Sequence, residues 1–122
     1  MANGAVVTTV GKGLIAASMA ADHTAKYVAH GTGTTTPVAG DTALQTPTDL
    51  NSGNAWAGTD AVNSSTKYRV TVTITLTAGR SITEVGLFKE AAMTNMLYHE
   101  VFTAIAANSG DTISYTIDIT VG

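Results

Sequence analysis

The sequence predicts an all-β protein: an antiparallel β-sandwich of jelly-roll-like form, with at most one short helix near the N-terminus. Three observations predict it. Threonine occurs 22 times in 122 residues, and its branched β-carbon favours strands. Twelve glycines and only two prolines supply turns without stiff linkers. Several segments alternate apolar and polar residues with period two between turn signals, the pattern of half-buried strands in a sandwich or small barrel.

Length fits one domain. Hydrophobic residues make up 44% and charged residues 12% of the chain, against a usual charged share of about 25%. Hydroxyls rather than charges therefore keep the surface wet. The net charge is −3 and the six basic residues are scattered. No basic patch forms to neutralise phosphates, so no nucleic-acid partner is expected. Cysteine is absent, which excludes disulfides, thiolate zinc sites, iron–sulfur clusters and cysteine nucleophiles. The longest apolar run, residues 14–21, is interrupted by Ser18 and falls well short of the ~20 residues of a spanning helix, so no membrane association is expected. Residues 4–21 faintly resemble a signal peptide. The lack of positive charge ahead of them and Lys12 within the apolar part argue against that reading.

Along the chain, residues 5–10 suit a strand. Residues 14–21 are alanine-rich and read either as one short helix or as a strand running into a loop. Residues 1–25 together read as an N-terminal arm or extension, a candidate for contact with a larger assembly, ahead of a β-sandwich domain over residues 26–122. Residues 26–30 read as a strand and 31–37 as a loop. Residues 42–45 pack Leu44 inward. Residues 46–65 form a long polar stretch with one large side chain, Trp56, and a stretch of that kind is functional or disordered. Trp56 is either an anchor to the core or an interface residue.

Periodicity is clearest from residue 68 onward. In residues 68–77, Val70, Val72, Ile74 and Leu76 alternate with Thr71, Thr73, Thr75 and Thr77, giving one apolar and one threonine face. That threonine face is either a solvated sheet surface or a flat ladder that orders water or meets another surface. In residues 81–89, Ile82, Glu84, Gly86 and Phe88 alternate with Thr83, Val85 and Leu87. Residues 96–104 have no wholly polar face, so that strand is expected to be central or packed on both sides. In residues 111–121, Ile113, Tyr115, Ile117, Ile119 and Val121 share a face, after the turn Asn108-Ser109-Gly110-Asp111.

No motif for chemistry survives inspection. Gly31-Thr32-Gly33 lacks the continuation of a phosphate loop or a dinucleotide fingerprint and reads as a tight turn with left-handed glycines. His23, His30 and His99 match no metal-ligand spacing. Asp41 and Asp111 each follow a glycine and read as turn residues bonding their own backbone. Glu84 shares a face with Ile82 and Phe88, so it is expected to be partly buried and therefore paired or hydrogen-bonded. A general acid is the functional reading; a partner for Arg69, Arg80 or a backbone turn is the structural one. Serine elbows, paired catalytic carboxylates and His-Glu-x-x-His are absent. Neither an enzyme, a cofactor nor a metal is expected, and no catalytic or binding residue is assigned.

Two stretches carry a resemblance. The first runs Val28-Ala29-His30-Gly31-Thr32-Gly33-Thr34-Thr35-Thr36-Pro37-Val38-Ala39-Gly40-Asp41-Thr42-Ala43-Leu44. The second runs Ile82-Thr83-Glu84-Val85-Gly86-Leu87-Phe88, followed by Met96-Leu97-Tyr98-His99-Glu100-Val101-Phe102. Their order resembles small structural proteins of tailed bacteriophages, those labelled head decoration (cement) or tail fibre proteins, over roughly residues 26–120. The chain departs from that pattern at Gln45-Thr46-Pro47, where an acidic residue is expected soon after the leucine. The resemblance implies a capsid decoration protein that binds the outer head surface and stabilises the lattice of the major capsid protein. A homotrimer on the virion, made in the bacterial host cytoplasm, is the implied state. A tail, collar or fibre module is the alternative. A carbohydrate-binding sandwich with an aromatic platform of Trp56 and Tyr27, Tyr68, Tyr98 or Tyr115 ranks below both.

Overall fold

A computed structural model of the chain describes residues 26–62 and 67–120. The expectations for residues 5–10 and 14–21, for an arm at residues 1–25, and for His23 lie outside these. Among the described residues the chain forms eight strands and no helix: β1 (Tyr27–Gly31), β2 (Pro47–Thr48), β3 (Trp56–Ala57), β4 (Thr59–Val62), β5 (Lys67–Thr75), β6 (Arg80–Phe88), β7 (Met96–Ala107) and β8 (Thr112–Thr120). The described residues are all-β with antiparallel sheets, as the threonine content and the period-two pattern predict.

One sheet runs β2-β1-β6-β7, with β3 also pairing with β1; the other runs β4-β5-β8. They face each other across a core of Val28, Val85 and Leu87 from the first sheet and Tyr68, Val70, Val72, Ile74 and Ile117 from the second. Strand β5 behaves as its alternation demands. Tyr68, Val70, Val72 and Ile74 are buried, while Thr71, Thr73 and Thr75 face water. Strand β8 pairs with it from Lys67↔Thr120 to Thr75↔Thr112, which extends the hydroxyl face through Ser114 and Thr116.

Strand β7 departs from the central position expected of it, and β6 is buried more fully than the partial burial expected of Glu84. Residues Ile82 to Phe88 of β6 are all buried. Val85 and Leu87 face the core between the sheets. Glu84, Gly86 and Phe88 face outward, beneath residues 32–46, where Phe88, Ala29, Leu44 and Ala55 make a second apolar cluster. Strand β7 is instead an edge among the described residues, hydrogen-bonded there to β6 alone. It is covered on both faces only in its first half, where Tyr98 packs against the core and His99 lies under residues 32–46. It departs from regular register at Leu97 and again between Val101 and Ile105, as sheet edges often do.

The stretch 46–65 is neither structureless nor disordered over its described part. It holds β2 and β3, which pair with β1, and β4, which pairs with β5. Strands of two to four residues are too short to leave a readable period. Trp56 packs against the core and donates its ring N–H to the Asp49 carbonyl at 2.8 Å, the anchoring role of the two open to it.

Candidate functional site

Two buried polar networks organise the outer surface. The first centres on Glu84, whose side chain is fully buried. Strand alternation turns it away from the inter-sheet core and under residues 32–46. Its carboxylate accepts the backbone N–H groups of Gly33 (2.9 Å), Gln45 (3.0 Å) and Thr46 (2.8 Å), and His99 Nε2 donates at 3.0 Å. Thr83, its neighbour on β6, donates its hydroxyl to the Gly33 carbonyl at 2.7 Å. The segment is thus clamped at both ends onto one strand.

His99 carries the clamp further. Its Nδ1 lies 2.8 Å from Asp41 Oδ2. Carboxylates accept and do not donate, so a ring held between two of them donates from both nitrogens and is an imidazolium. Burial pushes the His99 pKa down, but its hydrogen bonds to Asp41 and Glu84 and their charges outweigh that and hold it above the ordinary histidine value. Burial likewise pushes Glu84 up. The Thr46 and Gln45 amides, His99 and the Gly33 amide overcome it, so the carboxyl stays ionised below its usual range. The His99 hydrogen bond, then the Val38 amide, hold Asp41 low.

Gly31 and Gly33 have a different purpose from the one the sequence suggests. Positive φ among the described glycines is confined to Gly53 and Gly110, so Gly31-Thr32-Gly33 is not a left-handed turn. These glycines permit close approach. A Cβ on Gly31 would collide with the Thr46 carbonyl oxygen, and one on Gly33 would lie 2.5 Å from Glu84 Oε2.

Asp49 is the hub of the second network. It is buried and has φ of 56°, a left-handed conformation that aspartate tolerates better than most residues. It accepts from His30 Nε2 (2.8 Å), from the Thr77 N–H and hydroxyl (2.8 and 2.9 Å), from the Thr48 hydroxyl (2.9 Å) and from Arg80 Nε (3.1 Å). Burial raises its pKa, and these donors, led by the Thr77 amide, drive it well below the usual carboxylate range. His30 Nδ1 faces the Tyr115 hydroxyl at 2.7 Å. Burial lowers the His30 pKa, and hydrogen bonding to Asp49 only partly opposes this, so this ring is neutral. It donates to Asp49 and accepts from Tyr115, stitching β1 to β8 across the core.

The sequence-derived candidates fall into place around these networks. Glu84 takes its partners from loop amides and His99 rather than from Arg69, which pairs with Asp118, or Arg80, which pairs with Asp49. Asp41 and Asp111 are turn residues: Asp41 accepts the Val38 amide and Asp111 the Asn108 amide. Asp41 also reaches His99, a contact between residues 58 apart that no spacing rule reveals. Asp49 was not singled out by sequence, because its partners His30, Thr77 and Arg80 lie 19, 28 and 31 residues away. Three of the tyrosines have structural partners. Tyr68 is fully buried, Tyr115 is committed to His30, and Tyr27 packs with the outer cluster. Among the described residues, no cluster of three or more ligating side chains suits a metal ion, and no helix is long and apolar enough to cross a membrane.

The clamped segment ends in an exposed tip. Residues 34–40 hold no charge, and Val38 is 65% exposed at the apex, fixed by a turn in which the Asp41 N–H donates to the Val38 carbonyl at 3.0 Å. Gln45 Oε1 accepts from the Thr34 and Thr35 amides (2.9 and 3.1 Å) and stiffens the approach. A buried carboxylate and an imidazolium thus hold an uncharged, solvent-facing loop in one shape, which lowers the ordering cost of any contact the loop makes. Comparison with known protein families, characterised proteins and solved structures returned no match.

Proposed function

We propose that this chain is a decoration (cement) protein on the outer head surface of a tailed bacteriophage, bound to the major capsid protein and stabilising its lattice. The observation that carries the reading is that the two motifs behind the resemblance are one physical unit. The Gly-Thr-Gly-Thr segment and the segment ending in Leu44 close on Ile82-Thr83-Glu84-Val85-Gly86-Leu87-Phe88 through the Glu84 carboxylate, the Thr83 hydroxyl and the Leu44–Phe88 cluster. Motifs that lock together this way mark a shared scaffold rather than shared chemistry, which suits a passive virion component.

A non-enzymatic role is part of the proposal. The buried ionisable groups are committed to structural bonds: His30 to Asp49 and Tyr115, Asp49 to His30, Thr48, Thr77 and Arg80, and Glu84 to three backbone amides and His99. The finer architecture is read as jelly-roll-like and the assembly as a homotrimer, a symmetry that repeats each weak shell contact. Shell contact is assigned to residues 1–25, with residues 26–122 as the sandwich domain.

Cryo-electron microscopy of the particle that carries the chain is the test. Density at three-fold or quasi-three-fold points of the head supports the proposal. Density confined to the neck, tail or fibres replaces it with a tail module. Removing residues 1–20 is expected to abolish binding to undecorated heads; unchanged binding removes the contact assignment.

A further inference from the structure

A cleft of about 300 Å³ opens between the clamped loop and the start of β7, lined by Pro37, Val38, Ala39, Asp41 and residues Met96 to His99. Three large hydrophobic side chains stand exposed among the described residues, Val38, Leu97 and Ile105. Two of them meet in this cleft from segments far apart in sequence. The convergence depends on the Glu84–His99–Asp41 clamp, which carries the loop across β6 to the free side of β7. Leu97 is the extra residue where β7 slips register, with Phe88↔Met96 and Leu87↔Tyr98 on either side of it.

We infer that this cleft receives an extended strand of another protein, added to the free edge of β7, with an apolar side chain between Val38 and Leu97 and a lysine or arginine beside Asp41. The edge supplies the main-chain half. Among the described residues strand β7 has a neighbour on one side only, so alternate residues turn N–H and C=O groups outward, ready to pair. Beyond Leu97 the run Tyr98 to Val101 keeps regular register with β6, and no proline occurs in β7. The cleft supplies the side-chain half, a pocket of mixed polarity in which the exposed Val38 and Leu97 offer apolar contact and whose loop wall is already fixed.

Charge selects the sequence of the strand. The charged groups lining the cleft are Asp41 from the loop and His99 from β7, and His99 is also bonded to the fully buried Glu84 of β6 beneath it. Two carboxylates against one imidazolium leave one net negative charge. Asp41 Oδ2 is held by His99 and the Val38 amide, and its side chain keeps 25% exposure. Glu100, the next charged residue on β7, is exposed and adds a second negative charge along the edge. No lysine or arginine lines the cleft, so a basic strand is favoured and an acidic one repelled.

The test titrates the full isotope-labelled chain with a capped peptide alternating valine with threonine and lysine, read by amide NMR shifts. A counterpart peptide carries glutamate in place of lysine. Saturable shifts at Val38, Asp41 and residues 97–101 are expected, with affinity roughly tenfold or more weaker for the glutamate peptide and for the Leu97→Lys and Val38→Lys variants. Both variants change exposed side chains, and unchanged melting temperatures establish that they fold. No shifts at millimolar peptide, shifts centred on β8 or the hydroxyl face, or equal binding of both peptides would overturn the inference. Concentration-dependent shifts at the same residues without peptide would overturn it in favour of a second copy of this chain. The titration reads the cleft and the particle imaging reads the function, so either reading can fail alone.

Discussion

Replacing Glu84 by glutamine keeps the shape of the side chain and removes its charge, which isolates the energetics of the clamp. The native carboxylate accepts from three backbone amides and from His99 at 2.8–3.0 Å while fully buried. In Glu84→Gln one oxygen becomes an NH2 group that faces donors, and His99 loses the anion on one side. Breaking a buried, hydrogen-bonded charge pair costs about 3–5 kcal/mol. An apolar replacement does not escape the cost, because the Gly33, Gln45 and Thr46 amides remain and each orphaned donor costs about 1–3 kcal/mol. For a chain of this length the melting temperature falls by on the order of 10–20 °C. Calorimetry measures that fall, and hydrogen exchange at the three amides locates it in residues 32–46. A melting temperature within about 2 °C of the native value, with those amides equally protected, would refute the clamp, since the amides would then not depend on the carboxylate.

Gly33→Ala places a methyl group 2.5 Å from Glu84 Oε2 and from Gln45 Cβ; overpacking costs about 1–3 kcal/mol, seen as faster protease cleavage within residues 32–46. Stability against pH is expected to peak between the carboxylate and histidine ranges. The His99 pKa is raised on folding, so its contribution is full below its ordinary value of about 6.5 and is lost as pH rises through the folded value. The Glu84 and Asp41 pKa values are lowered, so their contributions are present above the ordinary carboxylate range and lost as pH falls through the folded values. Melting temperatures across pH for the native chain and for His99→Gln check this: the variant loses the alkaline limb, and an unaltered limb would assign it to another group. Asp49→Ala leaves His30, Thr77 and Arg80 without their shared acceptor and is expected to cost about 3–5 kcal/mol by chemical denaturation. Asp49→Asn, which tolerates the same left-handed backbone, is expected to cost less.

What the sequence makes legible, and what it hides, divides along one physical line. Alternation in β5 and β8 reads correctly because one face of each meets the core and the other meets water, so side-chain polarity reports position directly. The same rule misplaces β7 and understates the burial of β6. Alternation in β6 leads to a partly buried Glu84, yet every residue from Ile82 to Phe88 is buried. The partners of Glu84 are backbone amides of residues 33, 45 and 46, and backbone donors leave no mark in a side-chain pattern. Without that marker the loop covering β6 is invisible, and the apolar look of β7 is taken for centrality when it belongs to a half-covered edge. Gly31 and Gly33 hold the missing information in an ambiguous form, since a glycine needed for close approach is indistinguishable in sequence from one needed for a turn. A lone carboxylate in an apolar strand, with closely spaced glycines some 50 residues away, is the combination that would have pointed to the clamp. Each half alone suggests something else, and only the fold brings the Gly33 amide within 2.9 Å of the charge that explains it.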